Sequence, residues 1–162
     1  MINDDDLTPY EEIVPPEWID YNGHMNVAYY LLAFDHASDA LLDQLKLGRA
    51  YCTLEKCSLF VVETHITYER EMLEGDGLAI TTRILGYDSK RLHLFHEMYH
   101  VASGDLAATN EVMLLHVDMT ARRATEFSKA TMDRIEPVCK SHQKQGLPAQ
   151  AGRAIKIPLA LI

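Results

Sequence analysis

Between Trp18 and Asn26 the chain reads Trp-Ile-Asp-Tyr-Asn-Gly-His-Met-Asn, and a helical pattern begins directly behind it. Those residue types in that order suit acyl transfer. A helix start carries backbone N–H groups without acceptors and the positive end of the helix dipole, and together these can hold a carbonyl oxygen as it becomes an oxyanion. Asp20, fixed by the turn at Gly23, supplies a carboxylate that either attacks the acyl carbon or takes a proton from water. The peptide groups of His24 and Met25, just after Gly23, are the expected oxyanion donors. On local chemistry alone Asp20 is equally a turn residue accepting backbone N–H groups, Asn26 a helix cap and His24 a structural imidazole.

The elements that must hold this segment are legible around it. Val27, Tyr30, Leu31, Phe34, Ala37, Leu41, Leu42 and Leu45 recur at helical spacing, with Asp35, Asp39, Asp43 and Lys46 on the other side. This predicts an amphipathic helix over 26–46, capped by Asn26 and stopped at Gly48. Ahead of it, residues 11–15 form a short strand that Pro15 and Pro16 interrupt. Behind it, 54–70, 79–87, 92–102 and 107–117 read as strands, parted by turns at 74–77, 88–90 and 103–105 in the manner of an antiparallel meander. Residues 128–142 form a second helix, capped by Ser128 and interrupted in pattern by Pro137. Residues 1–10 are a loose acidic lead-in. The tail, 146–162, is irregular, and its end, Ile155 to Ile162, is apolar enough to dock on a partner subunit. We expect a single domain over 1–162 with its core at about 10–140. One helix cannot cover both faces of a five-stranded sheet, so a homo-oligomer is expected, a dimer or a dimer of dimers.

The stretch Asp20-Tyr21-Asn22-Gly23-His24-Met25-Asn26, followed by Tyr29, resembles the D-x-x-G-H-V-N…Y signature of the 4-hydroxybenzoyl-CoA thioesterase family. The resemblance implies an α+β hotdog fold, a long central helix wrapped by a five-stranded antiparallel sheet, with a C-terminal helix. It implies hydrolysis of an acyl-CoA thioester to the free acid and CoA, with no cofactor beyond the CoA of the substrate. Carried over by position, it makes Asp20 the catalytic carboxylate, lets the turn from Gly23 into the helix polarise the carbonyl, and gives His24 and Asn26 a part in shaping the site. Many relatives carry an aspartate two positions ahead of the catalytic one; here Trp18 stands there. With Tyr21, Tyr29 and Tyr30 it offers π faces to a quaternary ammonium group, although core packing competes for each ring. Within the family the sequence is most similar to the thioesterases of carnitine breakdown, which act on betainyl-CoA.

Further residues fit the same reading. Glu63 and Thr64 sit mid-strand; in a dimer of this fold the strand can approach the helix start of a subunit, where Glu63 would position water or pair with His24 if it does not simply face solvent. Lys90, Arg91, Arg122 and Arg123 are the candidates for CoA phosphates. Two rivals stay within the fold: a hydratase, cued by His36 beside Asp35, and a module that binds acyl-CoA without turning it over. A third comes from His96-Glu97-Met98-Tyr99-His100, which spells the H-E-x-x-H pattern of zinc hydrolases. That chemistry needs a helix. On a strand the two histidines stand about 13 Å apart, too far for one zinc ion, so no metal is expected.

Composition sets outer bounds. The formal net charge of −9 argues against nucleic acid and against an anionic membrane surface as partners. Cys52, Cys57 and Cys139 are odd in number and lack C-x-x-C spacing, which favours free thiols in a reducing cytosol. The acidic start has neither the basic nor the apolar region of a signal peptide, and no apolar run reaches the length of a membrane span, so a cytoplasmic protein is expected.

Overall fold

The structure is a computed structural model that describes residues 7–157. The first six residues of the acidic lead-in and residues 158–162 of the apolar tail lie outside the described residues. Strand β1 (Tyr10–Ile13) is followed by a 3-10 turn at Pro16–Trp18, helix α1 (Val27–Gln44) and helix α2 (Arg49–Glu55). Strands β2 (Cys57–Tyr68), β3 (Gly77–Tyr87), β4 (Arg91–His100), β5 (Leu106–Asp118) and β6 (Arg123–Ala124) come next, and helix α3 (Lys129–Gln143) follows. The strands form one antiparallel sheet in the order β1-β3-β4-β5-β2, with the two-residue β6 beside β5. This is the expected α+β hotdog arrangement, with β6 added.

The long helix lies on one face of the sheet. Tyr30, Ala33, Phe34 and Ala37 of α1 pack on Leu78, Ile80, Met98, Ala107 and Ala108. Farther along, Leu41, Leu42 and Leu45 pack on Ile84, Leu92, Leu94, Val112 and Leu114, joined by Ile135, Val138 and Cys139 of α3. Each large side chain buried here contributes about 1.5–3 kcal/mol. Asn26 caps α1 as expected, its side chain accepting from Ala28 N. The far end differs from expectation: Lys46, not Gly48, takes the left-handed conformation (φ 60°). Leu47 N then bonds to Leu42 O at 2.7 Å and Lys46 N to Asp43 O at 2.9 Å, the paired bonds of a Schellman stop. Gly48 opens α2 instead, a helix absent from the sequence reading because it buries no residue and so carries no apolar period. Helix α3 runs through Pro137 without a break.

Helix α3 also finishes an edge. Strand β1 pairs with Gly77–Ile80 of β3 and goes no farther. Beyond it, Ile84 N donates to His142 Nδ1 at 2.8 Å and Leu85 O accepts from Gln143 Nε2 at 3.3 Å, so α3 covers what β1 leaves open. The opposite edge, β2, pairs with β5 alone, and Phe60, Val61 and Val62 there are 37, 48 and 54% exposed. Strand β2 carries a bulge between Val61 and Glu63. No helix among the described residues is long and apolar enough to cross a membrane.

Candidate active site at the start of the long helix

Two prolines end β1 and turn the chain into the 3-10 turn, which drops Trp18 into the core. An isolated bridge between Ile19 and Met25 then pinches off a tight loop. Within it Asp20 N bonds to His24 O at 3.1 Å and Gly23 N to Asp20 O at 3.0 Å. Gly23 has φ 84°, a conformation in which any side chain is strained. The loop therefore holds Asp20 at its mouth, beside the first turn of α1.

Both Asp20 oxygens are engaged. Oδ1 accepts from Asn22 N at 2.8 Å, and Oδ2 accepts from Asn26 Nδ2 at 3.2 Å. Asn26 turns its Oδ1 to Ala28 N at 3.0 Å, which leaves the amide nitrogen facing the carboxylate. One side chain thus caps the helix and orients Asp20. His24 is half-buried, and its Nδ1 lies 3.2 Å from Met25 O. A carbonyl only accepts, so Nδ1 is the donor of this bond.

The expected oxyanion donors need one correction. Met25 N–H is spent on Met72 O at 2.7 Å, a bond that ties the loop to the segment after β2. Asn26 N–H is spent on Trp18 O. Among the described residues, the N–H groups of His24 and Val27 have no acceptor, and Val27 is the first residue of α1. The pair that could receive a carbonyl oxygen is His24 and Val27, with the helix dipole behind Val27.

A cleft of about 230 Å³ opens at this point. His24, Met25, Val27 and Tyr30 form one wall, and Tyr68, Glu69, Arg70 and Glu71 at the end of β2 form the other. The second wall was missed in the sequence, although an aromatic residue and two acids at the end of a long strand were there to be noticed. The aromatic residues divide. Trp18 stacks on Tyr29, ring centroids 5.3 Å apart and nearly parallel, so the two cover each other and do not face one another across a gap. Tyr30 is buried; its hydroxyl donates to Arg70 O at 3.3 Å and accepts from Met72 N at 3.1 Å, clamping α1 to the chain after β2. Tyr21 is 97% exposed. These four therefore do not form a cage within one chain.

Glu63 is displaced as well. Val61 lies opposite Leu114, which faces α1, but the bulge puts Glu63 opposite Met113 and so turns it to the other face of the sheet. There it borders a cleft of about 610 Å³ with His65, His93, Glu111 and the tail residues Gly152–Ile155. Within one chain Glu63 and His24 do not meet. Thr64 faces the helix side and donates its hydroxyl hydrogen to Asn110 Oδ1. Lys90 and Arg91 lie at the β3–β4 turn, where Leu92 packs near the C-terminal end of α1, away from Asp20; Arg91 is bound to Asp88 at 2.6 Å. Arg122 and Arg123 are exposed, Arg122 just ahead of β6 and Arg123 its first residue, opposite Asp118 of β5. In one chain none of these four reaches the cleft, and the basic residue that does is Arg70.

The H-E-x-x-H segment is strand β4, as its neighbours required. His96 is fully buried among Phe34, Ser38 and Thr82, and burial pushes its pKa down to about 3. His100 Nε2 pairs with Asp76 at 3.3 Å. Two pleats, about 13 Å, separate them. Among the described residues no three His, Cys, Asp or Glu side chains gather where they could hold a metal ion. His36, the hydratase cue, bonds with Tyr10 and Glu12 on β1 and does not line the cleft.

Comparison with known proteins places this geometry in a group. The sequence profile of the thioesterase-like superfamily matches residues 14–135. The betainyl-CoA thioesterase of Pseudomonas aeruginosa is 40% identical over 152 residues, covering 94% of this chain and 96% of its own. The L-carnitine dehydrogenase/betainyl-CoA thioesterase of Rhizobium meliloti is 39% identical over 85% of this chain, which corresponds to 28% of that longer protein. A protein of Staphylococcus aureus, solved in complex with CoA, superposes with a TM-score of 0.87 at 33% identity over 98% of both chains.

Proposed function

This chain belongs to the thioesterase-like superfamily, and from that premise we propose that it is an acyl-CoA thioesterase that hydrolyses betainyl-CoA to betaine and CoA at the start of α1. The observation that carries the reading is the pairing of Asp20 with two unspent N–H groups, those of His24 and Val27. The thioester oxygen lies against these donors, and the dipole of α1 stabilises it as charge develops. Asp20 delivers the nucleophile, either by taking a proton from water as the oxygen attacks or by attacking directly to give an anhydride that water opens. The carbon–sulfur bond breaks and CoA leaves as its thiolate, a good leaving group that needs little acid assistance. Asn26 keeps one Asp20 oxygen turned toward the helix start.

The acyl group follows from the 40% identity to a betainyl-CoA thioesterase across nearly the whole of both chains. The CoA complex of the Staphylococcus aureus protein supports a CoA thioester as the substrate form. A homo-oligomer is part of the proposal. Strand β2 offers twelve residues with one edge unpaired and three apolar side chains in solvent, and a second copy of β2 closes that edge. The test is thiol release across a panel of acyl-CoAs. Betainyl-CoA is expected to be the best substrate, and a folded protein that releases no CoA from any of them contradicts the enzyme reading.

A further inference from the structure

We infer that the quaternary ammonium of the substrate sits against Tyr68 and Glu71, on the β2 side of the cleft at the helix start; this rests on the betainyl-CoA reading above. The acyl group itself sets the distance. Its nitrogen is one methylene from the thioester carbon, the same connectivity as N–Cα–C in a peptide, so the two atoms are about 2.5 Å apart. A carbonyl held by His24 and Val27 therefore leaves the cation no choice but the cleft those residues line. The opposite wall carries an aromatic ring and two carboxylates.

Tyr68 is 48% exposed. It meets Tyr30 edge to face, ring centroids 5.2 Å apart at 89°. An edge-to-face pair occupies at most one face of each ring, so Tyr68 keeps a face open. Its hydroxyl is anchored to Val27 O at 3.4 Å, which holds the ring beside the oxyanion donors. The charges on the wall do not cancel. Arg70 is paired with Asp105 at 3.6 Å and Glu69 with Arg153 at 3.7 Å. Glu71 has no cationic partner among the described residues. It lines the same cleft as Tyr30 and Tyr68, and its charge adds, after burial and Tyr68, to what raises the Tyr30 hydroxyl above its ordinary pKa. An open π face beside an uncompensated carboxylate is the environment that binds a trimethylammonium group, which cannot donate a hydrogen bond.

The experiment compares betainyl-CoA with 3,3-dimethylbutanoyl-CoA, the neutral analogue in which carbon replaces nitrogen. The readout is the ratio of their kcat/KM values. In the wild-type protein the ratio is expected to exceed ten, and Glu71→Gln and Tyr68→Leu are each expected to lower it about tenfold. Tetramethylammonium chloride, at ionic strength matched with sodium chloride, is expected to compete with betainyl-CoA in the wild-type protein, a measurement that depends on no variant. A wild-type ratio near one overturns the betainyl-CoA reading and the subsite with it. A high wild-type ratio that both variants keep, or an absence of competition by tetramethylammonium, overturns the subsite and leaves the substrate reading standing.

Discussion

Asn26 donates from its side-chain nitrogen to Asp20 Oδ2 while its side-chain oxygen accepts from Ala28 N, so the cap of α1 and the orientation of the carboxylate are one hydrogen-bonded unit. The two functions separate by substitution. Aspartate caps a helix as well as asparagine does, so Asn26→Asp should keep the stability of α1. It places a second negative charge beside Asp20, however, and a like charge disfavours ionisation. The acid limb of the kcat/KM profile should move up by about one pH unit. Asn26→Ala loses the cap, about 1 kcal/mol, and, having lost only a hydrogen bond to the carboxylate, moves the limb less than Asn26→Asp does. Thermal melts and pH–rate profiles of both variants check this; an unmoved limb in Asn26→Asp contradicts the coupling.

Gly23→Ala isolates the backbone. At φ 84° a Cβ would meet nothing within 4 Å, so no clash accompanies the change. The cost is conformational alone, about 1–2 kcal/mol. Because the loop is pinned by Ile19 and Met25, relaxing that strain moves Asp20 relative to the free N–H groups. Activity should fall more than stability does, which denaturant unfolding and thiol release together measure. A loss of activity no larger than the loss of folded fraction would mean the loop does not position Asp20.

The unpaired β2 edge predicts an assembly. Val62→Lys places a charge at the bulge of the edge strand, where it costs the isolated chain little because Val62 is 54% exposed. It should shift the sedimentation coefficient from dimer or larger to monomer. If Val62→Lys sediments as the wild-type protein does, the partner surface lies elsewhere.

His96 predicts an acid limb in stability. Ser38 Oγ donates to Phe34 O, so its lone pair receives His96 Nε2–H, and Thr82 Oγ1 donates to Nδ1. The ring is fixed as one neutral tautomer. Its folded pKa is about 3 against 6.5 unfolded, so between those values unfolding takes up a proton. Stability is full above pH 6.5 and falls by about 1.4 kcal/mol for each unit below it. His116, pushed down by burial, adds slope of the same sign. In urea titrations at pH 7, 6 and 5, His96→Gln should show a flatter dependence than the wild-type protein. Parallel slopes would contradict the neutral buried ring.

What the sequence disclosed and what it withheld follow one physical line. The segment around Asp20 was legible because its structure is local: a glycine at positive φ, an asparagine cap and a helix start lie within a few residues. The long helix was legible because it buries one face, and the four long strands because β-branched and aromatic residues run between clear turn signals. Helix α2 has no fully buried residue and left no apolar period. The face that Glu63 takes was not legible, because a single inserted residue reverses which face follows it and nothing in the alternation of Val61-Val62-Glu63-Thr64 marks the bulge. Met25 was misread as a donor because its acceptor, Met72 O, arrives from the far side of β2. The wall formed by Tyr68 and Glu71 arrives the same way, through tertiary packing and not through spacing.

In the proposed reaction Asp20 is the catalytic carboxylate. The decisive measurement is CoA release from betainyl-CoA by Asp20→Asn beside the wild-type protein, with circular dichroism to establish that both are folded. Asparagine keeps the shape and can still accept from Asn22 N, so the loop stands, but it neither attacks nor takes a proton. Release by the folded variant is expected to fall about a thousandfold. Turnover near the wild-type rate would contradict the assignment of the site to the start of α1.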